Sequence, residues 1–262
     1  MKFASFVLVA AGIVAALPST KLVRRNYSAV GPRKPPSTKL KHNSAPNNKI
    51  TPSSNDITAT GSGPEEYSSN WSGAILDGTG FKHVTGIITV PKVSGDAGSA
   101  ASAWVGIDGS SCGQTLFQTG VSFYADGTFD AWYEWIPEPS TSYEDFSVSI
   151  GDQIKMTVDT RSKNKGVATL ENLTTGGKTS HTFSSTPSTL CETNAEWIVE
   201  AFQQGGSQVT LVNFGTVTFT DAAASGNGGK VTPDGATSIE MLGSTVLTNV
   251  SINNAQVTVQ YV

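Results

Sequence analysis

The chain has 262 residues, 37% of them hydrophobic and only 15% charged, with a formal net charge of −4; this is the composition of a folded body rather than a disordered acidic tail. Its longest apolar run, residues 6–17, falls short of the roughly 20 residues that cross a bilayer, so no membrane span is expected. Twenty-seven glycines against three methionines favour turns and pleated sheet over long helices.

In chain order, Lys2 followed by an apolar stretch ending at Val14-Ala15-Ala16 has the layout of a secretory signal peptide, expected over residues 1–17. The product is expected outside the cell. Residues 18–60 then carry Lys21, Arg24, Arg25, Arg33, Lys34, Lys39, Lys41 and Lys49 against the single acid Asp56, a net of +7, with almost no large apolar side chain. Such a segment cannot bury a core of its own. Residues 61–262 hold eight basic and twenty acidic residues, a net of −12. A detachable cationic leader beside an acidic body reads as a propeptide held over its own cleft by opposite charge, with release in acid as carboxylates are neutralised. The same −12 repels phosphate and argues against nucleic acid as a partner.

Residues 61–262 suffice for one domain. Short β-rich runs punctuated by turn residues are predicted at 86–90, 103–107, 121–124, 129–135, 146–150, 154–158, 167–173, 178–183, 209–212, 216–220, 238–242 and 256–262, with Asp126-Gly127 as a hairpin turn. Thr193-Asn194-Ala195-Glu196 has the form of a helix capping box, but the all-β context favours a strand. The expected fold is all-β, a sandwich of antiparallel sheets. Export makes Cys112 and Cys191 natural disulfide partners. Sequons stand at Asn26, Asn70, Asn172 and Asn249, and residues 94–102 form a Gly- and Ser-rich stretch suited to a loop or a chain cut.

Several usual catalytic signatures are missing: no His-Glu-x-x-His, no phosphate-binding Gly-x-x-x-x-Gly-Lys, no Asp-Thr/Ser-Gly. His83 and His181 lack partnered motifs, and no metal or cofactor motif is present. What stands out is acid interleaved with aromatic at period two. In Asp130-Ala131-Trp132-Tyr133-Glu134-Trp135 a strand puts Asp130, Trp132 and Glu134 on one face, and Glu196 and Glu200 form a second pair of that kind. Carboxyls flanking a large flat ring suit a cleft floor. The pattern leaves three functions open: a glycoside hydrolase, a retaining one, with a pair of carboxylates about 5 to 10 Å apart, a peptidase using one carboxyl and an amide, or a lectin-like module that only binds.

Five motifs in order carry a resemblance. They are Asn70-Trp71-Ser72-Gly73-Ala74; Ala103-Trp104-Val105-Gly106-Ile107-Asp108-Gly109 with Cys112 and Leu116-Phe117-Gln118-Thr119-Gly120; Phe129 to Trp135; Leu170-Glu171-Asn172-Leu173-Thr174-Thr175-Gly176; and Cys191-Glu192-Thr193-Asn194-Ala195-Glu196-Trp197-Ile198-Val199-Glu200. Together they closely resemble the fungal glutamic peptidases, the eqolisins, from about residue 67 to the last residue. That resemblance implies a lectin- or glucanase-like two-sheet sandwich of jelly-roll type. It also implies a secreted acid endopeptidase, insensitive to pepstatin and made as a zymogen with a basic propeptide. The family's catalytic glutamate and glutamine match Glu200 and Gln118, and its cleft residues match Trp71, Trp104, Asp108, Asp130, Trp132 and Glu134. Its disulfide matches Cys112 with Cys191. Partners are then protein substrates and the chain's own propeptide; a monomer is the expectation.

Overall fold

Alternation of apolar and polar residues sets the strands. In Gln153–Ser162, for example, Ile154, Met156, Val158 and Thr160 are buried while Gln153, Asp159 and Arg161 are exposed. The computed structural model describes residues 42–51 and 65–262; the predicted signal peptide and most of the basic segment lie outside them. Strands are numbered in chain order. One nine-stranded sheet runs β2 (Lys49–Ile50), β3 (Glu65–Ser68), β18 (Thr237–Met241), β4 (Trp71–Asp77), β13 (Asn194–Glu200), β6 (Ala100–Ile107), β7 (Leu116–Tyr124), β8 (Phe129–Ile136), β9 (Thr141–Ser142). The other runs β12 (Lys178–Phe183), β11 (Lys165–Asn172), β10 (Gln153–Ser162), β5 (Phe81–Thr89), β16 (Thr216–Gly226), β20 (Gln256–Tyr261), β19 (Thr248–Asn253), with β17 (Gly229–Val231) beside β16. A small third sheet joins β1 (His42–Asn43), β14 (Gln203–Gln204) and β15 (Ser207–Gln208). Pairing is antiparallel except between β3 and β18.

The two large sheets stack face to face, β10 and β11 lying across β6 and β7. Phe117, Val121, Phe123, Trp197 and Val199 from one meet Val84, Ile88, Ile154, Met156, Val158 and Phe219 from the other in a continuous core. Trp197 crosses the interface and donates its indole N–H to the Thr85 carbonyl at 2.8 Å. Gly86 makes room for it, since a Cβ there would stand 3.1 Å from Trp197 Cδ1.

The expected sandwich is present, and the segment from Thr193 is strand rather than helix, with Trp197 inward and Glu196 and Glu200 on the opposite face. Asp126-Gly127 turns β7 into β8, Gly127 adopting φ 78° and donating to the Tyr124 carbonyl. Two expectations fail. Residues 146–150 pack Phe146 and Val148 onto the core as coil, pinned by Ser149 N–H donating to Asp152. Residues 209–212 form only isolated bridges, Leu211 with Ala100 among them. Strands β4 and β19 were not anticipated. Cys112 and Cys191 are bonded, S–S 2.02 Å, across a separation of 79 residues; closing such a loop stabilises by roughly 4 kcal/mol on the chain-entropy view.

Candidate active site

Strand register assembles the site on the face of the nine-stranded sheet that points away from the core. Trp71 lies on β4, Ile198 and Glu200 on β13, Ser102 and Trp104 on β6, Gln118 and Ser122 on β7, Trp132 and Glu134 on β8. One row across the sheet pairs Ile198 with Trp104, Trp104 with Gly120 and Gly120 with Trp132; another pairs Glu196 with Gly106, Gly106 with Gln118 and Gln118 with Glu134. The glycines shape the floor. A Cβ on Gly120 would fall 2.4 Å from the Ala103 carbonyl oxygen, and one on Gly106 would press on the Trp104 ring at 3.0 Å and the Gln118 Cβ at 3.3 Å. Trp71, Trp104 and Trp132, all fully buried, pack with Leu116, Ile198 and Ile239 into the floor.

Glu200 and Gln118 are both wholly buried. Trp104 donates its indole N–H to Glu200 Oε2 at 2.9 Å, which fixes the carboxyl, and burial pushes Glu200 up from 4.5 to about 7. Gln118 Nε2 donates to Glu134 Oε2 at 2.6 Å; its Oε1 is buried with no partner among the described residues. Burial first, and then the charge of Glu200, hold Glu134 well above the ordinary carboxylate range. The pair therefore carries at most one negative charge in acid, the pattern that separates an acid role from a base role. Tethering by Glu134 leaves Gln118 one amide hydrogen and an acceptor oxygen for other use.

The floor is roofed by the chain itself. Residues 42–48 run along the cleft: Ser44 N–H lies 3.3 Å from both oxygens of Glu134, and Ala45 N–H donates to Glu200 Oε1 at 3.1 Å. The Ala45 carbonyl accepts from Trp71 Nε1 at 2.9 Å and from Asn70 Nδ2 at 3.2 Å. His42 is buried against Phe202, ring centroids 4.1 Å apart and stacked, and edge-on to Trp132 at 4.4 Å. Its ring nitrogens bond Ser122 Oγ and Ser44 Oγ, each at 3.0 Å. Only Lys49 among the described leader residues is basic; it pairs at the surface with Glu66 at 2.7 Å, worth little there.

Other expected cleft residues lie apart. Asp108, φ 70°, is buried, and its oxygens accept the backbone N–H groups of Cys191, Glu192, Thr193 and Asn194. It anchors the loop after the disulfide rather than facing the leader. Asp130 sits at the outer end of β8 and accepts from Ser142 Oγ at 2.9 Å. His42, Ser44, Ala45, Asn70 and Phe202 were not anticipated in the cleft. Asp108, Cys112 and Cys191 converge among the described residues, but the sulfurs are bonded to each other and the carboxylate is filled by N–H groups, so the cluster does not suit a metal. The Asn70 and Asn172 side chains are buried and hydrogen-bonded, whereas Asn249 is exposed.

Glu196, on the same face of β13, is wholly buried with both oxygens unpartnered among the described residues, and burial, then Asp108 and Asp77, raise it well above 4.5. A raised folded value means stability that is full below the unfolded value near 4.5 and is lost as pH climbs above it. Thermal unfolding is expected to show a Tm that falls between pH 4.5 and 7, and Glu196→Gln to flatten that fall by up to about 1.4 kcal/mol per pH unit. An unchanged slope in the variant would clear Glu196 of the effect.

Comparison with known proteins bears on this geometry. Residues 69–261 match the peptidase A4 family. The chain is 49% identical to aspergillopepsin-2 of Aspergillus niger over 232 residues, covering 79% of this chain and 82% of that one. It is 45% identical to scytalidopepsin B of Scytalidium lignicola over 198 residues, covering 72% and 73%. The structure of scytalido-glutamic peptidase with a transition state analog inhibitor superimposes with a TM-score of 0.72 at 41% identity, over 74% of this chain and 98% of that one. With the family matched over most of its length and the same fold in solved relatives, the chain belongs to the peptidase A4 family, the eqolisins, and is a peptidase of the glutamic type.

Proposed function

We propose that this chain is a secreted zymogen of an acid endopeptidase in which Glu200 and Gln118 activate one water for attack on a peptide bond. The observation that carries the reading is an extended stretch of peptide, residues 42–48, lying across Glu200, Glu134 and the tryptophan floor, with its backbone N–H and C=O groups engaged. A cleft built to hold main chain is built for protein substrates. Sugar rings have no such row of N–H and C=O groups to offer.

In the matured cleft Glu200 is ionised and takes a proton from a water shared with Gln118; the hydroxide adds to the scissile carbonyl carbon and the carbonyl oxygen gains the negative charge. The free N–H of Gln118 donates to that oxyanion. Protonated Glu200 then gives its proton to the leaving nitrogen as the C–N bond breaks, and the carboxylate is regenerated. An amide suits the second role because it neither gains nor loses a proton in acid. An ordinary carboxylate stays partly ionised in acid where a histidine would be protonated, and clearing residues 42–48 from the cleft would relieve the burial that raises Glu200 and return it toward that range. Pepstatin insensitivity follows from the lack of a paired-aspartate centre. Residues 1–17 serve as signal peptide, 18–60 as propeptide and 61–262 as the mature domain, a monomer.

The test is to convert the precursor in acid and assay it near pH 3, with pepstatin present, on denatured globin and on a β-glucan. Hydrolysis of globin alone is expected. Hydrolysis of the glucan without proteolysis would move the reading to a carboxylate-pair glycosidase.

A further inference from the structure

Residues 61–262 hold sequons at Asn70, Asn172 and Asn249, and the fold sorts them. An N-linked glycan is attached through the side-chain amide nitrogen, so the surroundings of that atom decide what can be carried. Asn70 is 4% exposed; its Nδ2 donates to the carbonyls of Ala45 and Pro46, each at 3.2 Å, and its Oδ1 accepts from Asn48 N–H at 3.0 Å. Asn172 is 1% exposed, with Nδ2 donating to Asp152 Oδ2 at 2.8 Å and to the Ser147 carbonyl at 3.3 Å. In both, the amide hydrogens are committed and close packing leaves no room for a sugar ring against the nitrogen. The Asn26 sequon lies outside the described residues, in the leader.

Asn249 is placed differently. It lies on β19, the last strand of the second large sheet. Its neighbours Thr248 and Val250 are buried and anchored: Thr248 Oγ1 accepts from Ser72 Oγ and from Met241 N–H, both at 2.8 Å, and Val250 N–H donates to Glu240 Oε1 at 3.3 Å. Strand alternation therefore turns Asn249 and Ser251, the asparagine and the hydroxyl residue of the sequon, out of the sandwich, and both are exposed. Across the ladder Asn249 stands opposite Gln260, which is also exposed, and Ser251 opposite Thr258.

We propose, on the reading of the chain as secreted, that Asn249 carries an N-linked oligosaccharide and that Asn70 and Asn172 stay bare. The donor is an oligosaccharide on a lipid pyrophosphate carrier. Asn249 Nδ2 forms a bond to the anomeric carbon of the sugar and loses one proton; the bond from that carbon to the pyrophosphate breaks, and the pyrophosphate leaves with the electron pair. Transfer precedes folding, so burial acts as a filter on which molecules close. A glycan on Asn172 would strand the Asp152 carboxylate and force a polar sugar into packed protein. One on Asn70 would break the grip of that amide on the leader at Ala45 and Pro46. On Asn249 the sugar projects into water and disturbs no buried contact.

Full-length wild type, Asn249→Gln and Ser251→Ala are expressed in a fungal host, and protein from the medium is denatured and treated with peptide N-glycosidase, which turns each glycan-bearing asparagine into aspartate. Peptide mapping by mass spectrometry, against an untreated sample, is expected to find aspartate at position 249 of the wild type and asparagine at 70 and 172. Both variants are expected to lose the glycan at this site; Ser251→Ala keeps the asparagine, so its loss ties the modification to the sequon. Asparagine at 249 in secreted wild type, or aspartate at 70 or 172, would overturn the proposal and leave the secreted peptidase standing. Wild type held inside the cells with residues 1–17 still attached would sink the secretion reading, and the glycan with it.

Discussion

Glu200→Gln is expected to cut kcat by at least about a thousandfold with little change in KM, because on the proposed mechanism one group supplies both the base of the first step and the acid of the second, and general acid–base catalysis is worth roughly 10²–10⁴. The substitution is nearly isosteric: the glutamine oxygen can still accept from Trp104 Nε1, the bond that places the carboxyl at 2.9 Å. What it removes is the ability to take and return a proton. Gln118→Ala is expected to cost about 10²–10³, the range for loss of one oxyanion donor. Glu134→Gln is the discriminating control. Burial and the charge of Glu200 keep Glu134 protonated in acid, so an amide imitates its working state and can still accept from Gln118 Nε2; a loss of about tenfold or less is expected on this reasoning. The three variants are converted by a trace of wild-type enzyme and assayed near pH 3. An active Glu200→Gln beside a dead Glu134→Gln would exchange the two roles.

The reason that Glu200 and Glu134 stood out early is that a strand's period is two. Asp130, Trp132 and Glu134 had to share a face, as had Glu196 and Glu200, and β8 and β13 place them so. Gln118 had no comparable signal of its own. Its significance depends on Gly106 and Gly120, which leave floor around it, and on Glu134 lying opposite in the register of the next strand. These are pairings between strands, and only the motif resemblance pointed to them. Asp108 shows the opposite failure. The family resemblance made it a cleft residue, yet its oxygens are filled by backbone N–H groups of residues 191–194. Those partners lie more than eighty positions away, beyond any local pattern. The leader was legible as a segment without a core of its own, but not as one that borrows a core from the body by laying His42 on Phe202 and Trp132.

That last difference alters how the leader is expected to let go. A charge-based account would have basic residues facing the two carboxyls, whereas the described contacts to them are made by the backbone N–H groups of Ser44 and Ala45, with His42 seated alongside on Phe202 and Trp132. Release is therefore expected to follow the proton balance of the seated groups. His42, wholly buried, is lowered from 6.5 to about 3 by its burial; it must lose its proton to seat and regains it on release. Glu200, at about 7 under the leader, changes in the other direction, binding a proton more readily while it is covered; Glu134, also raised, stays protonated in both states in acid. The other titratable side chains around the ring are Tyr124, which burial keeps neutral, and Asp130 on the same face of β8. Between about pH 6.5 and 4.5 the histidine and Glu200 oppose each other, one proton lost against one gained, and affinity changes little. Below about 4.5 the uncovered Glu200 is increasingly protonated as well, its opposition fades, and His42 comes to distinguish the two states. The leader is then expected to weaken with a slope approaching tenfold per pH unit, roughly 1.4 kcal/mol, and several-fold in all by about pH 3, where the covered His42 itself begins to take a proton. The measurement is the activity of freshly diluted precursor divided by that of converted enzyme at each pH, a ratio that cancels the catalytic pH profile. His42→Gln, which keeps a hydrogen-bonding side chain but cannot be charged, is expected to hold that ratio flat from pH 4.5 to 3. The same steep rise in the variant would assign release to the carboxylates of the body and to the basic residues upstream of His42.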